Sequence, residues 1–284
     1  MAAPPVVPPA LENAKLRRVA IVGVGLIGAS FGLALRKAGF AGGIVGVSSP
    51  RSIAAAEERG AIDGGVTLED AVAASDLVFL SQPISAIVET IARLEALDRE
   101  GLLVTDAGST KSAIECAAIH HLRHCRFIGG HPMAGKEQRG AEAADGDLFK
   151  GRPWILTREA EDETEREFRD WIVACGATIR ILDAATHDRL VAWSSHLPQL
   201  ASTALSAALH ERQPLAATVA GPGLMDMTRL AMSSYDLWHD ILETNQVEVA
   251  AALDAYIAQL QGLRANMEDE FARGADFARG LRSS

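Results

Sequence analysis

The chain has few cysteines, no long apolar run and no cluster of basic residues. Its three cysteines, Cys116, Cys125 and Cys175, form no CxxC pair and leave an odd number, so we expect no disulfide framework, no zinc site and no other bound metal. No apolar stretch reaches the roughly 18 residues of a membrane-spanning helix, and we expect no membrane association. The net charge of −10 has no Lys/Arg block to offset it, which argues against nucleic-acid binding.

The start of the chain lacks the features of a signal peptide. Residues 1–14 are rich in Pro and Ala but have neither a basic start nor an apolar core. They predict a disordered leader on a cytoplasmic protein. The rest, with 48% hydrophobic and 23% charged residues, has the composition of a globular protein.

Apolar strands alternate with helical segments over residues 15–183. The strand segments are "RRVAIVG", "GGIVGVSS", "DLVFLSQP", "GLLVTDAGS", "CRFIGGHP", "PWILT" and "TIRIL". Such alternation predicts an α/β domain with a doubly wound, Rossmann-type parallel sheet. Residues 184–284 show helical periodicity and no clear strand, so we expect a second, all-helical domain there.

A glycine motif lies between the first strand and the first helix. Gly23, Gly25 and Gly28 form GxGxxG, with Leu26 and Ile27 inside it. A strand before the motif and a helix after it are the context that distinguishes a dinucleotide fingerprint from an ordinary turn. Gly23 permits the turn, Gly25 lets a pyrophosphate approach, and Gly28 allows close packing of helix and strand. We therefore expect a bound nicotinamide dinucleotide.

The end of the second strand bears on the choice of cofactor. An acidic residue about 20 positions beyond the glycines binds the ribose 2′-hydroxyl in NAD-dependent enzymes. Here that position is Ser48, followed by Ser49 and, after a proline, by Arg51. Serines beside an arginine favour NADP over NAD, although the same residues could form an ordinary turn with Arg51 in solvent.

Two further strand ends carry polar residues. "TDAGSTK" follows one strand, where Asp106 is expected to cap the next helix and Ser109 either caps it or faces a substrate. "CRFIGGHP" is expected to be the next strand and to end in His131 at the same rim. Because ligands bind at the carboxyl ends of such strands, Ser109 and His131 are the predicted catalytic pair.

These motifs occur in an order that is typical of one enzyme family. "GVGLIGAS", "DAGSTK", "GGHPMAGKEQRG", "HD" at 187–188, "SSHLPQ" and "DMTRLAMSSYDLWHDI" extend from about Arg18 to about Asn245. In this order they resemble the prephenate/arogenate (cyclohexadienyl) dehydrogenases of tyrosine biosynthesis. The resemblance implies oxidative decarboxylation of arogenate or prephenate, or of both, with hydride transfer to NADP or NAD. It also implies a homodimer formed through the helical domain.

The resemblance also implies roles for individual residues. His131 would interact with the ring hydroxyl of the substrate, and Ser109 would orient His131 and touch the substrate. Arg229 would bind a substrate carboxylate. Glu137, His187 and Asp188 would line or gate the pocket, while His196 and Trp238 would lie near it in more structural roles. Independently of the family, a neutral imidazole is well matched to accepting a hydroxyl proton at neutral pH, and a guanidinium can hold a carboxylate with two hydrogen bonds.

One position departs from the family pattern. Prephenate-using members commonly have a second histidine just after SHLP that helps to bind the side-chain carboxylate, and here that residue is Gln199. Gln199 is therefore a candidate substrate-binding residue that favours arogenate.

Two alternatives remain open from the sequence. One is another nicotinamide enzyme with a helical second domain, such as a 3-hydroxyacid dehydrogenase or an imine reductase. The hydroxyacid enzymes usually need a lysine on the helical domain, and this chain has none from Ala184 onward. The other is a non-catalytic sensor that binds nicotinamide and partner proteins.

Overall fold

The computed structural model describes residues 14–283, so the predicted leader lies outside the described residues except for Ala14. The chain forms two compact units. We call residues up to Asp188 together with Ser233–Thr244 the sheet unit, and Arg189–Met232 together with the residues from Asn245 onward the helical unit. The predicted single domain boundary after residue 183 remains a prediction.

A six-stranded parallel sheet forms the centre of the sheet unit. Its spatial order is β3-β2-β1-β4-β5-β6, which confirms the predicted doubly wound fold. The strands are β1 (Arg18–Val22), β2 (Gly43–Val47), β3 (Gly64–Gly65), β4 (Leu77–Leu80), β5 (Leu103–Asp106) and β6 (Arg126–Ile128). The connecting helices are α1 (Leu26–Lys37), α2 (Pro50–Glu58), α3 (Leu68–Ala74), α4 (Ile84–Leu94) and α5 (Ser112–His121).

Both faces of this sheet are buried, which explains why its strands are continuously apolar. On β1, Val19 and Ile21 join one apolar cluster, while Ala20 and Val22 join a second. This follows from the alternation of side chains across a strand. The sheet therefore fixes the carboxyl ends of β1, β4 and β5 firmly next to one another.

The next segment differs from its predicted position. The prediction that "CRFIGGHP" is one strand ending in His131 at the rim of the first sheet is wrong. β6 ends at Ile128, and His131 lies within β7 (Gly130–Pro132), in a second sheet of order β7-β8-β9. There His131 pairs with Ile155 of the antiparallel strand β8 (Pro153–Leu156).

The two glycines between Ile128 and His131 explain the change of sheet. A Cβ atom at Gly130 would lie 2.5 Å from the carbonyl oxygen of Asp106, so only glycine lets β7 pass so close to the end of β5. Gly129 exchanges hydrogen bonds with Thr157, through its own N–H and its carbonyl. The chain thus leaves one sheet and enters the other within two residues.

The remaining part of the second sheet follows the sequence prediction. β8, helix α6 (Glu163–Ala174) and β9 (Thr178–Ile181) form a strand–helix–strand unit with parallel strands. Trp154 of β8 is fully buried against Phe31 and Phe79. The second sheet therefore shares the core of the first.

Every described element after β9 is helical, as predicted. The elements are α7 (Ala184–Val191), a π-helix (Ala192–His196), α8 (Leu197–Arg212), α9 (Pro222–Thr228), α10 (Tyr235–Thr244), α11 (Gln246–Leu263) and α12 (Met267–Ser283), with 3-10 turns at Pro214–Val219 and Arg229–Met232. Among residues 14–283, no helix combines the length and the apolar character that a membrane crossing needs.

Candidate active site

The glycine motif forms the turn between β1 and α1 that the sequence predicts. Gly23 has φ +91°, and its N–H donates to the carbonyl of Val47 at the end of β2. A Cβ at Gly28 would lie 2.5 Å from the carbonyl of Gly23, whereas a Cβ at Gly25 would have no atom within 4 Å. The space beside Gly25 and the N-terminus of α1, which no side chain caps, fit a dinucleotide pyrophosphate. Leu26 and Ile27 form the first turn of this helix.

Ser48 and Ser49 directly follow β2 and are exposed. The hydroxyl of Ser49 caps α2 by accepting from the N–H of Ser52 at 3.2 Å. The guanidinium of Arg51 is 89% exposed and lies 3.4 Å from a carboxylate oxygen of Glu142. Ser48 thus follows the residue that binds the glycine turn, Val47, and Arg51 already has an acidic neighbour.

A cavity of about 330 Å³ opens at the carboxyl ends of the central strands. Gln82 and Ser109 contribute to its wall from the loops after β4 and β5, Ile27 from the first turn of α1, and Asp240 from α10. Asp240 accepts hydrogen bonds from the N–H and hydroxyl of Ser85, and these bonds hold its pKa below the usual value for a carboxyl. The cavity therefore contains Ser109, one of the two predicted catalytic residues.

A buried ion pair holds the strand that carries His131. The ammonium of Lys111 contacts a carboxylate oxygen of Asp106 and donates to the carbonyl of Gly130 at 2.7 Å. Asp106 also accepts from the N–H of Gly130 at 3.0 Å and from that of Gly108 at 2.7 Å. Burial lowers the pKa of Lys111, because loss of water disfavours the ammonium, and the charge of Asp106 opposes this shift. Both polar groups of the Gly130 backbone are thereby fixed immediately before His131.

His131, His187 and Asp188 form a hydrogen-bonded row. His131 Nδ1 lies 2.8 Å from His187 Nε2, and His187 Nδ1 lies 2.8 Å from Asp188 Oδ1. His187 is fully buried and Asp188 is 3% exposed. The sequence places His187 and Asp188 in the pocket by resemblance alone, and the structure joins them to His131.

The cap of α5 differs from the sequence prediction. Asp106 was expected to cap this helix, but α5 begins at Ser112 and Asp106 instead binds Gly108, Gly130 and Lys111. Asp188 takes this role, because its two oxygens accept from the N–H groups of Lys111 at 2.7 Å and Ser112 at 2.8 Å. A carboxylate is favourable at a helix N-terminus, where the N–H groups have no partners within the helix.

The helical unit contains the other predicted residues. Gln199 is 5% exposed, and its amide nitrogen donates to the carbonyl of Leu230 at 2.9 Å and to the Thr203 hydroxyl at 3.2 Å. Leu230 follows Arg229 in the 3-10 turn Arg229–Met232. His196 is buried at the end of the π-helix, with Nδ1 3.3 Å from the amide nitrogen of Asn245. These contacts give Gln199 and His196 internal partners within the helical unit.

Several residues of the site escape prediction or lie at its margin. Glu137 is exposed in the loop after β7, near Arg139, whose guanidinium donates to the Ser234 hydroxyl at 2.5 Å. Lys111 was not predicted, although a lysine five positions after an aspartate at the end of a buried strand is a detectable signal. Arg139 and Asp240 line the cavity; both lie within the family motifs quoted above, but neither was singled out as a site residue.

Comparison with known proteins agrees with this architecture. A family model described as the nucleotide-binding domain of prephenate dehydrogenase matches residues 31–179, starting after the glycine motif. A second, described as the dimerization domain of prephenate dehydrogenase, matches residues 183–283.

Individual relatives show the same similarity. The prephenate dehydrogenase of Lactococcus lactis is 35% identical over 236 residues, which cover 81% of this chain and 65% of that protein. This chain thus spans slightly less than two thirds of that relative. A solved prephenate dehydrogenase from A. aeolicus, in complex with hydroxyphenyl propionate and NAD+, is 32% identical with a TM-score of 0.80, covering 94% of this chain and 96% of that one.

An arogenate dehydrogenase from Synechocystis is similar to the same extent. It is 31% identical with a TM-score of 0.77, and the likeness covers 94% of this chain and 99% of that one. Both family models together extend over most of residues 31–283. The chain therefore belongs to the prephenate dehydrogenase family.

Proposed function

We propose that this protein catalyses the oxidative decarboxylation of arogenate or prephenate, with a nicotinamide dinucleotide as hydride acceptor. The observation that carries the proposal is the hydrogen-bonded row His131–His187–Asp188 in the same unit as the glycine turn and Ser109. A histidine supported in this way suits a proton acceptor. The matches to both family models support the same reaction and give no support to the hydroxyacid, imine or sensor alternatives.

The glycine turn, His131 and Ser109 have separate roles in this reaction. The dinucleotide would be held by the turn at Gly23, Gly25 and Gly28, and when bound it would accept a hydride from the ring carbon that bears the hydroxyl. His131 takes the hydroxyl proton as the carbonyl forms. Ser109 lies at the cavity wall, where it can hydrogen-bond the same hydroxyl. Loss of carbon dioxide then restores an aromatic ring, which makes the reaction irreversible.

Arg229 is proposed to bind a carboxylate of the substrate. Guanidinium–carboxylate pairs are commonly bidentate, which fixes orientation as well as affinity. Gln199 donates to the carbonyl of the residue after Arg229, and the Ser202 hydroxyl accepts from the N–H of Ala231 at 3.1 Å. Two residues of α8 thus hold the turn that carries the arginine.

Absorbance at 340 nm tests the proposal directly. The protein is mixed with arogenate or prephenate and with NAD or NADP, and reduced nicotinamide is followed together with release of carbon dioxide. Oxidation of at least one substrate is expected. No absorbance change in any of the four mixtures, from protein that binds the dinucleotide, would support the sensor alternative instead.

NADP is proposed as the preferred cofactor because no acidic residue follows β2. Ser48→Asp is expected to weaken NADP binding by charge repulsion with the 2′-phosphate and to leave NAD binding equal or stronger. Dissociation constants measured by fluorescence titration of each dinucleotide check this. Ala54→Asp is the matched control, since it adds the same charge at an exposed position of α2. A parent protein that already prefers NAD would contradict the cofactor assignment.

Arogenate is proposed as the preferred substrate because Gln199 replaces a histidine that can become cationic. The amide N–H groups of Gln199 donate to Leu230 and Thr203, and its amide oxygen can accept from the ammonium of arogenate. One charge-assisted contact is worth about 1.5–3 kcal/mol, or roughly a ten- to hundredfold preference. We therefore expect a higher kcat/KM for arogenate than for prephenate, and a shift toward prephenate in Gln199→His.

Gln199→Leu separates charge from positioning in that experiment. Leucine removes both the hydrogen bond to Leu230 and the amide oxygen that would accept from the ammonium, without adding a charge. It should lower activity with both substrates and weaken the arogenate preference, without the gain in prephenate activity expected of Gln199→His. If Gln199→His leaves the ratio unchanged, Gln199 does not set the substrate preference.

A homodimer formed through the helical unit is proposed as the functional assembly, in the cytoplasm. The description of the second family model as a dimerization domain supports this assembly. So do large apolar side chains exposed on the helical unit, among them Met225, Val247 and Phe271. Such side chains are more readily explained by a partner surface than by solvent.

A further inference from the structure

We infer that His187 and Asp188 are positioning residues that fix the tautomer of His131 and place its basic lone pair on Nε2. The inference rests on the proposed function, since it names the atom of His131 that would receive the substrate proton. It follows from the direction that each hydrogen bond in the row must take. All three residues belong to the sheet unit.

The direction is set at Asp188. Its Oδ1 accepts from the backbone N–H of Lys111 and its Oδ2 from that of Ser112. Burial alone would raise the pKa of Asp188, but the hydrogen bonds from His187, Ser112 and Lys111 outweigh it and leave the pKa below its ordinary value. Asp188 is therefore a carboxylate, and a carboxylate can only accept hydrogen bonds.

The acceptor at one end determines both imidazoles. Because Asp188 can only accept, His187 Nδ1 must carry the hydrogen and donate it across 2.8 Å. A neutral imidazole has one donor nitrogen and one acceptor nitrogen, so Nε2 of neutral His187 is an acceptor. The partner of that acceptor, His131 Nδ1, must then donate across 2.8 Å. The lone pair of neutral His131 is left on Nε2.

The same row stabilises the product of proton transfer. The O–H bond of the substrate breaks and an Nε2–H bond forms on His131, while its Nδ1–H continues to donate to His187. The positive charge of the resulting imidazolium is next to a chain that ends in the negative charge of Asp188. A triad of this order orients and stabilises the base without itself reacting.

The neighbouring charges leave this arrangement intact. The ammonium of Lys111 is directed at Asp106 and the Gly130 carbonyl, and the hydrogen bond from Lys111 to Asp188 comes from its backbone N–H. The charges of Asp106, Asp188 and Glu115 oppose the effect of burial on the pKa of Lys111. Asp183, directly before α7, accepts from the N–H of Thr186 through its carboxylate and from the N–H of His187 through its backbone carbonyl. The carboxylate that meets the His187 ring is that of Asp188.

Nitrogen NMR of the histidine rings tests the tautomer without depending on turnover. In protein labelled with ¹⁵N-histidine, the ring resonances of His131 are identified as those that disappear from the spectrum of the His131→Asn variant. Above the pH at which the ring titrates, we expect a protonated Nδ1 and an unprotonated Nε2. An Nε2–H tautomer in the unsubstituted protein would overturn the inference.

Substitutions at His187 test its consequence for the reaction. His187→Phe removes the acceptor for His131, and we expect kcat to fall about 10- to 1000-fold and the acid limb of the pH profile to move to lower pH. His187→Gln restores an oxygen that can accept from Nδ1, and it should keep the His131 tautomer and recover much of kcat. His121→Phe is the matched control, because His121 also has Nδ1 2.8 Å from a carboxylate, that of Glu95, but lies at the far end of α5.

The outcomes distinguish failure of the proposed function from failure of the positioning role. If neither substrate is oxidised, the proposed function fails, and the ring resonances still decide the tautomer. If the protein is active but His187→Phe matches His121→Phe in kcat and pH profile, the positioning role fails while the function stands. Asp188→Asn gives a second test of the tautomer. An amide nitrogen facing His187 would donate to its Nδ1, which reverses the direction of both hydrogen bonds and puts the hydrogen of His131 on Nε2.

Discussion

Replacement of His131 by asparagine is expected to lower kcat by about 10²–10⁴-fold, with a much smaller effect on KM. The asparagine amide lies close to the position of Nδ1, so it can keep the hydrogen bond to His187 while Nε2 is removed. The variant therefore loses the proton acceptor and keeps the local packing. Steady-state kinetics with the preferred substrate and cofactor measure the effect.

The pH profile adds a second readout for His131. In the parent protein, protonation of the base should reduce the rate at low pH, and His131→Asn should flatten this acid limb. His124→Asn, at an exposed position after α5, is the matched control. Turnover close to that of the control would remove His131 from the chemical step.

Replacement of Lys111 by methionine is expected to destabilise the sheet unit by about 3–5 kcal/mol. The side chains of Lys111 and Asp106 are both fully buried, so loss of the ammonium leaves a carboxylate without its counter-charge in the interior. The carbonyl of Gly130 loses a hydrogen bond in the same step. Urea unfolding, followed by tryptophan fluorescence, measures the change in free energy of unfolding.

Two comparisons isolate the buried charge as the cause. Lys37→Met removes the same side chain from an ion pair with Asp147 that is 60% and 51% exposed, and it should cost less than about 1 kcal/mol. The double variant Asp106→Asn/Lys111→Met removes both charges and should be more stable than Lys111→Met alone. Equal stability of Lys111→Met and Lys37→Met would mean that no charged pair is buried beneath Gly130.

The predictable parts of this structure are those fixed by local sequence. The turn at Gly23 and the helix after it were predicted because the strand, the glycines and the helical periodicity are contiguous. The strand–helix–strand unit from β8 to β9 was predicted for the same reason. The family motifs marked His131, His187 and Asp188 as site residues, but not how they interact.

The rest depends on contacts between distant parts of the chain. His131 was placed in the wrong sheet because an apolar run gives no sign that its strand ends at Ile128 and another begins at Gly130. Asp188 caps a helix that begins 76 residues earlier in the sequence, and no local pattern reveals this. Asp106 looked like a cap because local sequence does not show that its carboxylate accepts from the N–H of Gly130, 24 residues later.

The sheet unit is discontinuous, since it takes Ser233–Thr244 from between two stretches of the helical unit. Hydrogen bonds of Ser85 to Asp240 and of Thr110 to Thr244 join this segment to the start of α4 and to the loop before α5. Ile241 is buried in one of the two apolar clusters. A recombination between relatives near residue 183, the predicted domain boundary, would therefore transfer part of the cavity wall together with the helices. A chimera joined near residue 183 therefore needs α10 from the same parent protein as the strands of its sheet unit.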